Sequence, residues 1–268
     1  MADEIRAIVT LGLRAQVVAH VRCTPEDVAA ALATGIDGVH LFFGSSPQLR
    51  QHSHGRTLQQ IAAQAAICIS MVRDAGKYVR FSAEDAFRTP LSDIISIFDA
   101  AVAAGVQRLG LPDTVGCATP WQVAERIAII HQRYPGVGIE FHGHNDTGCA
   151  IANALAALNA GADCIDVTAL GIGERNGITS LSGLIAALIS NHPVALQRYQ
   201  LRELPALDQR VAALLDMPIP FNAPITSSTA FTHKAGVHTN AVLRAAETYE
   251  KVICTSMRYV HDAFVLLK

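Results

Sequence analysis

Short runs of β-branched and aliphatic residues recur along the chain, each preceded by a glycine and each breaking off into polar residues. Gly12 precedes Ala15–His20, Gly35 and Gly38 precede Val39–Phe43, and Gly76 precedes Tyr78–Phe81. Gly105 then precedes Val106–Leu111, Gly138 precedes Ile139–Phe141, and Gly161 precedes Cys164–Thr168. A glycine closing a helix takes the left-handed conformation at little cost. Strands apolar on both faces, alternating with helical windows, predict a parallel sheet covered by helices. The runs recur about every 24 to 39 residues, the span of a βα unit, so six units are expected.

The intervening windows agree. Leu58–Val72 is amphipathic and alanine-rich, Leu91–Ala104 follows Pro90, and Pro120–Arg133 opens behind Thr119 as an N-cap. Leu181–Ser190 reads as a nearly all-apolar helix and Leu204–Leu215 as another. From about residue 192 the character changes, with Pro218, Pro220 and Pro224 and no clear strand. The expected organisation is therefore a barrel-type domain over 1–191 and a helical arm over 192–268.

Composition narrows the class. Of 268 residues, 50% are hydrophobic and only 16% charged, too apolar for a disordered chain. A net charge of −2 offers no field for nucleic acid or an anionic membrane. No apolar run approaches the ~20 residues of a bilayer span, and the acidic start of the chain does not read as a secretory leader. Six scattered cysteines without a C-x-x-C pair read as buried free thiols in a reducing compartment. A cytoplasmic enzyme is expected.

In parallel α/β folds chemistry gathers at the carboxyl ends of the strands. The predicted strand exits carry His20, His40, Ser82 with Glu84, Asp113 with Thr114, and His142 with His144. In Phe141–Asp146 the two imidazoles, two positions apart, face the same side of a strand. Two neutral imidazoles suit a divalent ion, with Asn145 and Asp146 as supports; a hydrogen-bonded histidine pair is the competing reading. Arg80, Ser82 and Glu84 alternate onto one face, where Arg80 offers a forked cation for a carboxylate. An ion pair from Arg80 to Glu84 or Asp85 is the alternative there, and an Asx or ST turn is the alternative for Asp113-Thr114. Gly171–Gly177 is a glycine-rich exit loop without the spacing of a nucleotide fingerprint. Thr232–His238 carries two histidines in the arm.

Five segments carry a family resemblance: Arg80–Asp85 (RFSAED), Asp113–Pro120 (DTVGCATP), Ile139–Ala154 (IEFHGHNDTGCAIANA), Leu170–Thr179 (LGIGERNGIT) and Phe231–His238 (FTHKAGVH). From about Leu11 to His261 the chain resembles the homocitrate synthase group of the homocitrate/2-isopropylmalate synthase family of metal-dependent TIM barrels. The resemblance implies an acyltransferase condensing acetyl-CoA with 2-oxoglutarate to homocitrate and CoA, at the start of the aminoadipate route to lysine. By position, His142 and His144 correspond to metal ligands for Mg²⁺, Mn²⁺, Zn²⁺ or Co²⁺. Thr114 corresponds to a residue on the near carboxylate of the oxo acid, and His20, Arg80 and Ser82 to residues on its far carboxylate. His233, assisted by Glu84 and Tyr259, corresponds to the group that deprotonates the acetyl methyl. A homodimer is implied, with the arm reaching the partner subunit.

The sequence also departs from that pattern. The family's opening strand, ending in a motif of the form Asp-Ser-Thr-Leu-Arg-Glu-Gly-Glu-Gln, supplies a third metal ligand and an arginine, and no such segment occurs here. The expectation is an incomplete barrel of about six strands, with little synthase activity from this chain alone. A complementing non-catalytic subunit, or a sister synthase using another 2-oxo acid, are the alternatives. His40 stands where an aspartate is usual, and the chain ends soon after His261, where the family continues into a further subdomain.

Overall fold

The computed structural model describes residues 2–250. The described chain divides after Asp166 into two compact units.

The first unit is an α/β layer structure of the barrel type expected. Its six strands are β1 (Val18–Arg22), β2 (Gly38–Gly44), β3 (Tyr78–Glu84), β4 (Arg108–Asp113), β5 (Gly138–Gly143) and β6 (Cys164–Ile165). They form one sheet in sequential order, every neighbour parallel. Among the described residues the sheet stays open between β1 and β6. Parallel neighbours joined by right-handed crossovers leave one face of the sheet to the helices. These are α2 (Pro25–Leu32), α4 (Leu58–Asp74), α5 (Leu91–Ala103), α6 (Pro120–Arg133) and α7 (Ala150–Asn159), after an N-terminal α1 (Ala2–Val9). A one-turn α3 (Pro47–Leu49) runs into a π-helical segment, Arg50–His54.

Alternation along the strands explains both faces. Val79, Phe81 and Ala83 of β3 are fully buried, as are Leu109 and Leu111 of β4, Ile139 and Phe141 of β5, and Ile94, Ile97 and Phe98 of α5. These residues make the core between sheet and helices, and Phe81 meets Phe98 edge to face at 6.4 Å. The opposite face carries His40, Arg80, Ser82, Glu140 and His142. Thr57 and Thr119 close capping boxes with Gln60 and Gln122, which start α4 and α6. Gly76 and Gly105 adopt φ +70° and +91° at the helix ends, as their positions before the apolar runs required.

Two strand boundaries differ from the expectation. β1 begins at Val18 and continues to Arg22, and β2 continues to Gly44. His20 and His40 therefore lie inside their strands instead of at the exits. A polar residue ends an apolar run in the sequence, yet on the inward face of such a sheet it does not end the ladder. Residues Cys23, Cys68, Cys117, Cys149 and Cys164 are free thiols, as expected, but only Cys23 and Cys68 are buried; Cys149 and Cys164 are half-buried and Cys117 is exposed.

The second unit has a parallel bridge between Thr168 and Ser180, then α8 (Leu181–Asn191), α9 (Leu204–Leu214) and α10 (Gly236–Arg244) with short 3-10 turns between them. Its core is Ile185, Leu196, Leu201, Leu204 and Ile225, flanked by Leu181, Leu188 and Ile189. Among the described residues no helix is long and apolar enough to cross a membrane.

Candidate active site

Strand register builds the site. His20 lies opposite His40, and His40 opposite Arg80, across β1, β2 and β3. One alternation further along, Ser82 faces Gly110 and Glu140 faces Cys164. The polar side chains of four strands, β1, β2, β3 and β5, thus converge on the face turned away from the helices.

Arg80 is the hub. Its Nη1 donates to Glu140 and, at 3.3 Å, to Asp166, while Nη2 donates to His40 Nδ1 at 2.8 Å. The partners foreseen from sequence, Glu84 and Asp85, are not the ones used: Asp85 is bound by Arg88 at 2.7 Å. The Arg80 side chain is only 18% exposed, and its buried Nε has no hydrogen-bond partner among the described residues. A buried, unsatisfied guanidinium N–H costs free energy until a ligand accepts it.

Glu140 and Asp166 were not singled out from sequence, and they set the charge of the site. Burial, reinforced by the charge of Asp166, pushes Glu140 up to about 8. Burial alone would also raise Asp166, but the hydrogen bond to His142 and the Arg80 guanidinium outweigh it and hold Asp166 well below the usual carboxylate range. Two carboxyls sharing one arginine are thus pushed in opposite directions, Glu140 up and Asp166 down. The signal for Glu140 was present, because it precedes His142 by two residues on the same strand.

His142 and His144 stand with ring centroids 5.0 Å apart. Asp166 Oδ2 lies 3.2 Å from His142 Nδ1. A carboxylate only accepts, so His142 donates from Nδ1 and leaves Nε2 as a lone pair. That is the arrangement in which a second carboxylate orients a metal-ligating imidazole. Glu140, Cys164 and Asp166 also bring one ligand atom each within 4.8 Å of one another. Asn145, expected as a support for the histidines, instead accepts the Ala150 amide at 3.2 Å at the start of α7.

His40 touches His20 (Nδ1 to Nδ1, 2.8 Å), Arg80, and Ser82 (Nε2 to Oγ, 2.6 Å). Burial, with Arg80 beside it, pushes His40 down to about 2, so the ring is neutral. His20 stacks on Phe42 at 4.5 Å. A Cβ on Gly110 would overlap Ser82 Oγ, so Ser82 fills space that only glycine leaves open.

The loops past the strand ends are tied together in series. Ser45 N–H donates to Glu84 O at 2.9 Å, Asp85 N–H to Thr114 Oγ1 at 2.8 Å, and Ala86 N–H to Pro112 O at 3.0 Å. His144 N–H donates to Asp113 O at 3.2 Å and Thr147 Oγ1 to Gly116 O at 2.8 Å. Glu84 ends β3 on the same face as Arg80 and Ser82. Thr114 sits at the exit of β4.

In the second unit, His233 Nε2 lies 2.8 Å from Glu250 Oε1, and His238 stacks on Tyr249 with centroids 4.2 Å apart. Neither Glu250 nor Tyr249 stood out in the sequence. Tyr259 lies outside the described residues.

Comparison with known proteins places the chain in a family. Residues 1–211 match the HMGL-like family model, and residues 225–262 match a second model described as homocitrate synthase post-HMGL domain-like. The chain belongs to the HMGL-like family. It is 47% identical over 265 residues to the mitochondrial homocitrate synthase of Yarrowia lipolytica, covering 97% of this chain and 59% of that protein. It is also 47% identical to the cytosolic homocitrate synthase isozyme of Saccharomyces cerevisiae, covering 97% of this chain and 61% of that one. The chain therefore spans about three-fifths of the length of these relatives. In fold it is similar to the HMG-CoA lyase of Bacillus subtilis, with a TM-score of 0.68 at 21% identity over 81% of this chain and 77% of that one.

Proposed function

We propose that the protein is a homocitrate synthase-type acyltransferase, condensing acetyl-CoA with 2-oxoglutarate and water to give homocitrate and CoA. The observation that carries this reading is Arg80: buried, with its Nε unsatisfied, two positions from Ser82 on β3 and hydrogen-bonded to His40. A dicarboxylic oxo acid needs two anchoring ends, and the reading assigns a residue set to each. Arg80 and Ser82 supply cation and hydroxyl for the far carboxylate, with His20 lining the same end through its contact with His40, and Thr114 supplies a hydroxyl for the near one.

His142 and His144 would hold a divalent ion, and the donor set fits one, because Asp166 fixes His142 with its Nε2 lone pair available. Such an ion supplies Lewis acidity at the keto oxygen. His233, oriented by Glu250, takes a proton from the acetyl methyl, with Glu84 and Tyr259 assisting. The methyl carbon, its C–H bond broken, bonds to the keto carbon as the keto C=O π pair moves to oxygen and takes up a proton; water then cleaves the thioester C–S bond, giving the carboxylate and CoA. A homodimer working in the cytoplasm belongs to the same reading.

Release of free CoA by the native protein tests this, with a divalent ion present and either 2-oxoglutarate or 3-methyl-2-oxobutanoate as acceptor. Preference of at least tenfold in kcat/KM for 2-oxoglutarate is expected. Equal or better turnover of the branched monocarboxylic acid would assign the site to a sister synthase.

A further inference from the structure

We infer that His40 is a positioning residue that fixes Ser82 as a hydrogen-bond donor, and that this donor, paired with Arg80, determines preference for an oxo acid with a second carboxylate. The inference rests on the function proposed above and deepens it.

Three contacts fix where each proton sits. Arg80 Nη2 can only donate, so His40 Nδ1, 2.8 Å away, must carry a lone pair. His20 Nδ1 also lies 2.8 Å from that nitrogen and must then be the protonated partner. A neutral His40 has one N–H left to place, and it sits on Nε2, 2.6 Å from Ser82 Oγ. Ser82 Oγ accepts that bond, which leaves its own proton to donate elsewhere. The Arg80 cation thus dictates the His40 tautomer, and the tautomer dictates the direction of the Ser82 hydroxyl.

The consequence is chemical selectivity. A carboxylate only accepts, so it needs donors from every group it meets. Arg80 offers its unsatisfied Nε–H and Ser82 an O–H, both on one face of β3. His20, with its proton on Nδ1, has a lone pair at Nε2 and adds no donor while neutral. Recognition of a second carboxylate therefore falls to Arg80 and Ser82, with His40 holding the serine in its donating role. Gly110 enforces the same arrangement sterically, because its missing Cβ is the space in which Ser82 Oγ lies.

Two measurements on the 268-residue chain test this. Long-range ¹⁵N–¹H correlation of the imidazoles reads the tautomer directly, without any turnover. His40 is expected to be protonated at Nε2 and bare at Nδ1; the opposite tautomer, or an even mixture, overturns the inference. Calorimetric binding of 2-oxoglutarate and of 2-oxobutanoate, each with Mg²⁺, reads the selectivity. H40N keeps an acceptor near Nδ1 but loses the donor to Ser82, so the preference for 2-oxoglutarate should drop about tenfold. H40Q keeps a donor near Nε2 and should recover most of it. An unchanged preference in H40N, or equal losses in both variants, overturns the positioning role. A wild-type chain that binds both acids alike overturns the reading of the site itself, while the tautomer still reports on the hydrogen-bond relay.

Discussion

Replacing Gly110 with alanine is a sharp test of how tightly the site face is built. The added Cβ would overlap Ser82 Oγ and lie 3.0 Å from Ser82 Cβ and 3.4 Å from Ser82 Cα. Ser82 must then rotate and abandon its 2.6 Å bond from His40, stranding an N–H on a ring only 5% exposed. An unmade buried hydrogen bond costs about 1–3 kcal/mol. Residual crowding against backbone adds a further cost of about 1–3 kcal/mol. Alanine returns roughly 0.5–1 kcal/mol by restricting the unfolded chain. The net destabilisation should be about 3 kcal/mol, a lowering of roughly 6–12 °C in Tm for a domain of this size. Urea unfolding followed by circular dichroism measures it, provided the slope m is unchanged. The same substitution in an S82G background should cost at least about 1 kcal/mol less, because the clashing atoms are gone. A G110A variant within about 0.5 kcal/mol of wild type, or equal costs in both backgrounds, would refute the reasoning.

Other perturbations follow from the same geometry. His40 titrates near 2 when folded against an ordinary 6.5, so its contribution to stability is complete above 6.5 and is lost as pH falls from 6.5 toward 2. In H40N the slope of unfolding free energy against pH between 6 and 4 should be shallower by up to about 1.4 kcal/mol per pH unit; an unchanged slope in a urea series contradicts this. D166N removes the carboxylate behind His142 and should weaken Mn²⁺ binding by about 10- to 100-fold, read by calorimetry, whereas equal affinity would exclude the orienting role. Thr119→Ala removes a capping box from α6 and should cost about 1 kcal/mol in the same urea assay, with no loss arguing against the cap. Burial pushes the Cys164 thiol up to about 11, so at pH 8 iodoacetamide should label exposed Cys117 well before Cys164; peptide mass mapping showing the reverse order would contradict it.

The sheet was legible because its strands are apolar on both faces and spaced like βα units. Pro120–Arg133 appears as read, since Thr119 and Pro120 mark its start unambiguously. The strand ends were less legible, because His20 and His40 look like punctuation in a one-dimensional pattern. Inside a sheet with a polar inner face they are ordinary inward positions. The helix Ala150–Asn159 was implied by the closing Gly161 but its bounds were not read, because it follows directly on the histidine loop and starts from Cys149 without a side-chain cap. Arg80 was found, but its partners were sought within five residues along the chain. Glu140 and Asp166 are 60 and 86 residues away, and only parallel register brings them together. His142 and His144 were readable from alternation, whereas the hydrogen bond that orients His142 comes from Asp166, which no spacing rule identifies.

The amide and hydroxyl ties that run from Ser45 through Glu84, Asp85, Thr114, Asp113 and His144 continue the lattice of the sheet past its last residues. A mouth stitched in this way does not open lip by lip, since displacing any loop strains the next. Its amides should resist deuterium nearly as long as those of the strands below, and any breathing that admits a ligand must come from a different region of the molecule.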